Sequence, residues 1–518
     1  MKTILFASRS CIVIAMLIFS SCSELREEKV LSTTPKTGPE KYIPELAYPG
    51  ITGIEKKGKL FGEEITYHQI DGEAVFEGDI ILSKEQLNEE AGLRTQAAGV
   101  PSKARRWTNG IVPYTIDKSL TNASDIYKAM IHIEYYTPIR FVQRSNQNNY
   151  VTFKNSHGFS SSIGMSGGQQ FVNLGLAFNY GGVLHEICHT LGLFHEHNRD
   201  DRDQTITVHY ENIPASLHAN FQTHKQSGTA AFRFGKMDLG SVMMMDSYYY
   251  SGNGLPTMTE NGHSTFQAQR SELSPNDIMC LNAMYSNFYF VSNGGVRAGS
   301  TRAGKNQSFG LNWGWVQAMT ANSEFILVVD SGLLQRVNLL NAEAKTIANG
   351  YSNVQAMVLY QGYLYVINNG ELQKVNLYSG ASNKVGTQLW PTATDMVYND
   401  GFFYVTTATG ISRVSPDTGV ATQIKAVTEA KELVASNGFL YYIKTTARNT
   451  TGIYKVNPST GLTSLFSPSI GAYPRMMSSE GSLYVTYLSG FYKIDANGNH
   501  VEISSLWPIS NHMAALNP

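Results

Sequence analysis

The sequence predicts an α+β domain followed by an all-β domain built as a six-bladed β-propeller. Two observations carry this. Residues 185–195 read HEICHTLGLFH, a helical histidine and glutamate pattern that stops at a glycine. After Tyr285 charged residues thin out, and short aromatic strands recur six times at a period of roughly forty residues, the spacing of propeller blades. The 518 residues are long enough for several domains, and a formal net charge of -1 gives no broad basic field for nucleic acid.

The first element is a targeting segment. Lys2 and Arg9 precede the apolar run 11–19 (CIVIAMLIF), too short to span a bilayer but right for a signal peptide over residues 1–21. The run ends in FSSC at 19–22, which resembles a relaxed bacterial lipobox and would make Cys22 the acylated first residue of a lipoprotein. The expectation is an exported protein, either an outer-membrane or cell-surface lipoprotein of a Gram-negative bacterium, or secreted. Membrane attachment is expected only through a lipid at Cys22. Residues 22–100, with few apolar runs, read as a tether and propeptide.

The second element, residues 101–285, holds the chemistry. On a helix His185 and His189 are four residues apart and share a face, so both rings reach one metal ion while Glu186 sits beside them. Gly192, lacking a Cβ, can take the left-handed turn that brings His195 round as a third ligand. Three protein ligands with an open fourth position mark a catalytic zinc site, one Zn2+ per chain. There Glu186 is placed to act as general base.

The pattern continues as HEHNRDDRD over 195–203 and resembles HExxHxxGxxHExxRxDRD of the astacin family, a metzincin group of zinc endopeptidases. Residues 241–244 (SVMM) resemble its Met-turn, with Met243 as the apolar floor under the metal. Residues 107–114 (WTNGIVPY) and 273–285 (LSPNDIMCLNAMY) resemble the opening and the last helix of such domains. The FEGD at 76–79 resembles the FxGD of astacin propeptides. The resemblance implies a metzincin-like catalytic domain that hydrolyses protein or peptide substrates and is made as a zymogen. Asp79 would occupy the open metal position, and Glu196 would receive the new N-terminus after a cut near Arg94. It also implies a basic residue that favours acidic substrate side chains, with Arg270 and Arg233 as candidates.

The chain departs from the family where a tyrosine usually follows the Met-turn methionine by two residues. Met245 stands there, and a thioether cannot donate a hydrogen bond; Tyr248, Tyr249 or Tyr250 could substitute. Leu193 replaces the commonest Phe, a conservative change. Of four cysteines, Cys188 and Cys280 lie in the mature body, so at most one disulfide is possible, and two buried free thiols are expected. The competing functional reading is a surface binding lipoprotein whose peptidase domain lost activity with the tyrosine.

The third element, residues 286–518, contains strands at 288–291 (FYFV), 325–328 (FILV), 363–366 (YLYV), 402–405 (FFYV), 439–442 (FLYY) and 482–485 (SLYV), four of them followed by a second strand such as LQKVN or YKVN. Residues 511–515 (NHMAA) resemble the strand that opens other blades, as in 354–357 (VQAM), and the first unit lacks its own copy. The C-terminal strand is therefore expected to complete the first blade and remove exposed edges. The propeller reads as a platform for a glycan or protein ligand.

Overall fold

The computed structural model describes residues 45–87 and 105–515, apart from positions 119, 121, 230–233, 302, 303, 305, 323, 340–342, 446–450, 472, 473, 480, 506, 509 and 511. Cys22, Arg94 and Arg233 lie outside the described residues. Among the described residues no helix is long and apolar enough to cross a membrane.

The α+β part is built on one nine-stranded sheet. Four antiparallel strands at its edge, Ile54–Leu60, Glu63–Ile70, Glu73–Phe76 and Ile80–Leu82, come from the segment before residue 88. The next are Ser160–Ser161, Gln169–Gly175, Tyr150–Ser156, Ile111–Ile116 and Arg140–Gln143. The two groups join through one parallel residue pair, Ile80 with Ser161. This first segment has its own apolar core of Leu60, Phe61, Ile65, Ala74, Phe76, Ile80 and Leu82, closed over Ile163 and Phe194 of the following part.

Two helices pack on the sheet, Ser124–Tyr136 and Tyr180–Thr190. The second starts where the Asn179 side chain accepts from the Gly182 N–H, satisfying one of the free donors of a helix start. All its residues but the first are buried, so it runs through the core rather than along a surface. A third helix, Pro275–Tyr285, begins with a capping box between Ser274 and Asp277 and has Pro in its first turn. Its last residue is closely followed by the first propeller strand, and the two parts share a continuous core that runs from Trp107, Ile187 and Leu281 to Tyr289, Val291 and Val328.

The all-β part is six four-stranded antiparallel sheets. As the sequence indicates, the last strand, His512–Ala515, pairs with Phe288–Ser292 and completes the first blade. Phe288, Phe491 and Trp507 stack across that closing seam. The recurrent aromatic and basic residues have a physical role. In four blades a Lys or Arg of the third strand lies over an aromatic ring of the second: Arg336 over Phe325, Lys374 over Tyr363, Arg413 over Phe402 and Lys455 over Phe439, at 3.7–4.7 Å. Neighbouring blades are stapled where an innermost strand sends a polar side chain forward to a backbone N–H of the next. Gln317 accepts from Val354, Asp395 from Leu433 and Glu432 from Met476.

Candidate metal centre

His185 and His189 project from one face of the buried helix. The helix ends at Thr190 with Leu191 as its cap, and Gly192 has φ +103°, a conformation in which a Cβ is strained. That turn is held from two sides, by the Trp107 indole N–H to Thr190 O (2.8 Å) and the Tyr285 hydroxyl to Leu191 O (2.9 Å). His195 thereby faces the other two rings.

Each ring is oriented through its Nδ1. His185 Nδ1 lies 2.9 Å from Val242 O, His189 Nδ1 2.7 Å from Leu193 O, and His195 Nδ1 3.1 Å from a Glu77 carboxylate oxygen. With Nδ1–H donating to these oxygens, each Nε2 carries a lone pair, and the three lone pairs converge. Nε2 of His195 is 3.2 Å from that of His189 and 3.3 Å from that of His185. Acceptors cannot bond one another. These are instead the spacings of ligands around a tetrahedral ion, since bonds of about 2.0–2.1 Å place donors about 3.3–3.4 Å apart.

Asp79 caps the three rings. Its carboxylate oxygens lie 3.4 Å from His185 Nε2, 3.4 Å from His189 Nε2 and 3.2 Å from His195 Nε2, in a fully buried position. Asp79, His185, His189 and His195 thus form a four-donor cluster that fits one zinc ion. Gly78, at φ +100°, lets the chain bend into this position, and a Cβ there would collide with the Tyr249 hydroxyl.

Glu186 lies on the same helix, fully buried, and neither carboxylate oxygen has a hydrogen-bond partner among the described residues. Burial, reinforced by the Asp79 charge, pushes its pKa well above the usual carboxylate range. Met243, 1% exposed, lies in the turn just after Val242, whose carbonyl orients His185. That turn is tied down by Asp277, which accepts from Ser241 Oγ (2.6 Å) and Val242 N (2.9 Å). Sequence reasoning missed Asp277. Its signal was the Ser-Pro-x-Asp start of the last helix.

Glu196 accepts from Asp238 N (2.8 Å) and lies 3.4 Å from Arg199; burial pushes it up to about 8. Arg270 holds Glu45 with two nitrogens, at 2.9 and 2.8 Å, donates to Met244 O, and lies 3.7 Å from the Met245 sulfur. Tyr248 is half exposed, but Tyr249 is buried and donates to Glu77 O (3.0 Å). Cys188 and Cys280 are buried free thiols.

A helix-and-turn scaffold presenting three converging imidazoles, with a carboxylate on the same helix, defines the metzincin class of zinc-binding domain. Within that class, residues 99–286 match the model of the Astacin peptidase family, and this part of the chain belongs to it. The chain is similar to Protein SpAN of Strongylocentrotus purpuratus, 32% identical over 229 residues covering 40% of this chain and 37% of that protein. It is also similar to astacin-like metalloprotease toxin 2 of Loxosceles intermedia, 35% identical over 178 residues, 34% of this chain and 66% of that one. Among solved structures, the High choriolytic enzyme 1 hatching zinc-protease of Oryzias latipes is 28% identical with a TM-score of 0.33, covering 37% of this chain and 98% of its own. The matched region thus spans under two-fifths of the length of the sea-urchin relative.

Proposed function

We propose that the chain is the latent form of an exported, zinc-dependent endopeptidase acting on protein substrates, with the propeller as a binding platform. The convergence of three Nδ1-oriented imidazoles on one point, beside an unpartnered buried carboxylate, is the observation that supports it. His185, His189 and His195 would hold zinc, which supplies Lewis acidity and lowers the pKa of a water. Glu186 takes the attacking water's proton and returns it to the departing amine, and its burial beside the metal site favours the protonated carboxyl that the second transfer needs. Met243 keeps the His185 side of the site apolar and fixed.

Asp79 is the latency switch. Its carboxylate takes the position that water needs, and the strands around it cover the cleft. The proposed division is a signal peptide at 1–21, tether and propeptide at 22–100, catalytic domain at 101–285 and propeller at 286–518, with lipid attachment at Cys22. Glu196 receives the matured N-terminus, an ammonium that would compensate a carboxyl now raised by burial. Arg270 is the acid-preferring residue of the cleft, and the engagement of Glu45 by its guanidinium favours it for that role. The propeller offers a 290 Å³ cavity lined by Trp315, Arg475 and His512.

Casein cleavage by protein starting at Thr95 tests this reading, with Glu186→Ala and a chelator-treated sample alongside. Cleavage is expected in wild type, lost by about 10²–10⁴-fold in Glu186→Ala, and lost on chelation until zinc is restored. Absence of cleavage by protein that retains one zinc would favour the binding-lipoprotein reading.

A further inference from the structure

We infer that the slot now filled by the Glu77 side chain is a subsite for an acidic side chain of a peptide substrate, built from His224, the Nδ1 side of His195 and Phe194. This rests on the peptidase reading and names part of the substrate chemistry. Glu77 is 2% exposed at φ +51°, a conformation that favours glycine, so its side chain is held in place against backbone strain. One carboxylate oxygen accepts from His195 Nδ1 at 3.1 Å and the other lies 3.5 Å from His224 Nε2.

His224 carries the argument. It is 1% exposed, its backbone N–H is fixed to Asn198 O (2.7 Å), and its ring packs on Phe194 with centroids 5.2 Å apart. Apart from the Glu77 carboxylate, 3.5 Å from Nε2, its ring nitrogens have no polar partner among the described residues. A buried imidazole needs a polar partner, and the one its ring faces is a carboxylate. Nothing in the zinc site or its latency through Asp79 requires this second acid-facing histidine.

The slot opens with the cleft. Phe194 is covered by Leu60, Phe76 and Ile80 of the segment that must leave, and the main chain of that segment is held as any peptide could be: Tyr249 donates to Glu77 O, and Ser161 N donates to Asp79 O (3.0 Å). Main-chain contacts accept many sequences, whereas the His195 and His224 contacts select a carboxylate. The slot is separate from Arg270, whose partner is Glu45.

Full-length protein freed of its prosegment, assayed on peptides carrying Glu, Gln or Leu at each position flanking the scissile bond, tests the inference. One position should show about a tenfold higher kcat/KM for Glu than for Gln, the margin between a hydrogen bond to a charged and to a neutral group. In His224→Phe, which keeps the ring on Phe194 but cannot donate, that ratio should fall about threefold with zinc content retained, the remainder being held by His195 Nδ1, while an acid preference set by Arg270 at another position persists. A ratio unmoved by His224→Phe, or one lost only in Arg270→Gln, overturns the subsite. If the variant fails to fold, a synthetic peptide of residues 74–82 used as an inhibitor of wild type replaces it. Its Glu77→Gln form should inhibit about tenfold less, and equal inhibition overturns the proposal. Should zinc-loaded wild type cleave no peptide at all, the peptidase reading fails, and the subsite with it.

Discussion

Met245 removes a hydroxyl where the family usually has one, and Tyr249 and Tyr250 are the two of the three following tyrosines whose hydroxyls lie beside Gly78, next to the capping Asp79. Tyr248 points to solvent, whereas the Tyr249 hydroxyl donates to a main-chain carbonyl two residues from the carboxylate capping the metal ligands. In the matured protein, Tyr249→Phe should lower kcat/KM on casein-derived peptides by about 10²-fold, as when an oxyanion donor is lost. Zinc content should stay the same, and Tyr248→Phe should change kcat/KM by less than twofold. Equal rates for Tyr249→Phe and wild type would pass the role to Tyr250, and equal rates for Tyr250→Phe as well would leave Met245 uncompensated. His185, His189 and Glu186 were legible in the sequence because helical spacing puts the two rings on one face with the carboxylate beside them, and His195 because Gly192 marks the turn that brings it round. The acceptors of their Nδ1 atoms were not. Leu193 O reaches its ring through the local turn, four positions on, whereas Val242 and Glu77 do so only through tertiary folding, across 57 and 118 positions.

At the level of elements, the turn beneath the metal and the last helix of the catalytic domain are one unit. Asp277 accepts from Ser274 N at the helix start and from Ser241 Oγ and Val242 N in the turn, all within a buried site. Asp277→Ala leaves these donors unpaired and should cost about 3 kcal/mol or more of stability, read as a lower denaturation midpoint, with loss of zinc affinity because His185 leans on Val242 O. Asp277→Asn should recover part of it. Repetition made the blades legible, since an apolar, mostly aromatic-bearing strand buried along nearly its whole length recurs at roughly forty residues. The cation–π pairs were visible only as a recurring Lys or Arg, whose purpose depends on a cross-strand register that sequence does not display.

Across the whole molecule, the inter-blade staples give the propeller a pH dependence. Burial and the nearby Glu432 charge push Asp395 up to about 8 from 3.8, with backbone N–H groups of Met396 and Leu433 acting the other way. A raised carboxyl means that the folded chain holds a proton the unfolded chain has lost between about pH 4 and 8. Stability therefore falls as pH rises through that window, by at most about 1.4 kcal/mol per pH unit. Denaturation midpoints at pH 5 and pH 8 check this, and Asp395→Asn should flatten the difference.

The strands before the catalytic domain meet its sheet through a single residue pair, yet they bury Phe194 and Ile163 and place Glu45, Glu77 and Asp79. If latency works as proposed, scission within residues 88–104 severs the covalent link without removing any of these contacts. A nicked molecule would then stay closed until the cut piece diffuses away, so the onset of activity would follow dilution as well as cutting, and the released piece would remain a competitor wherever its local concentration is high.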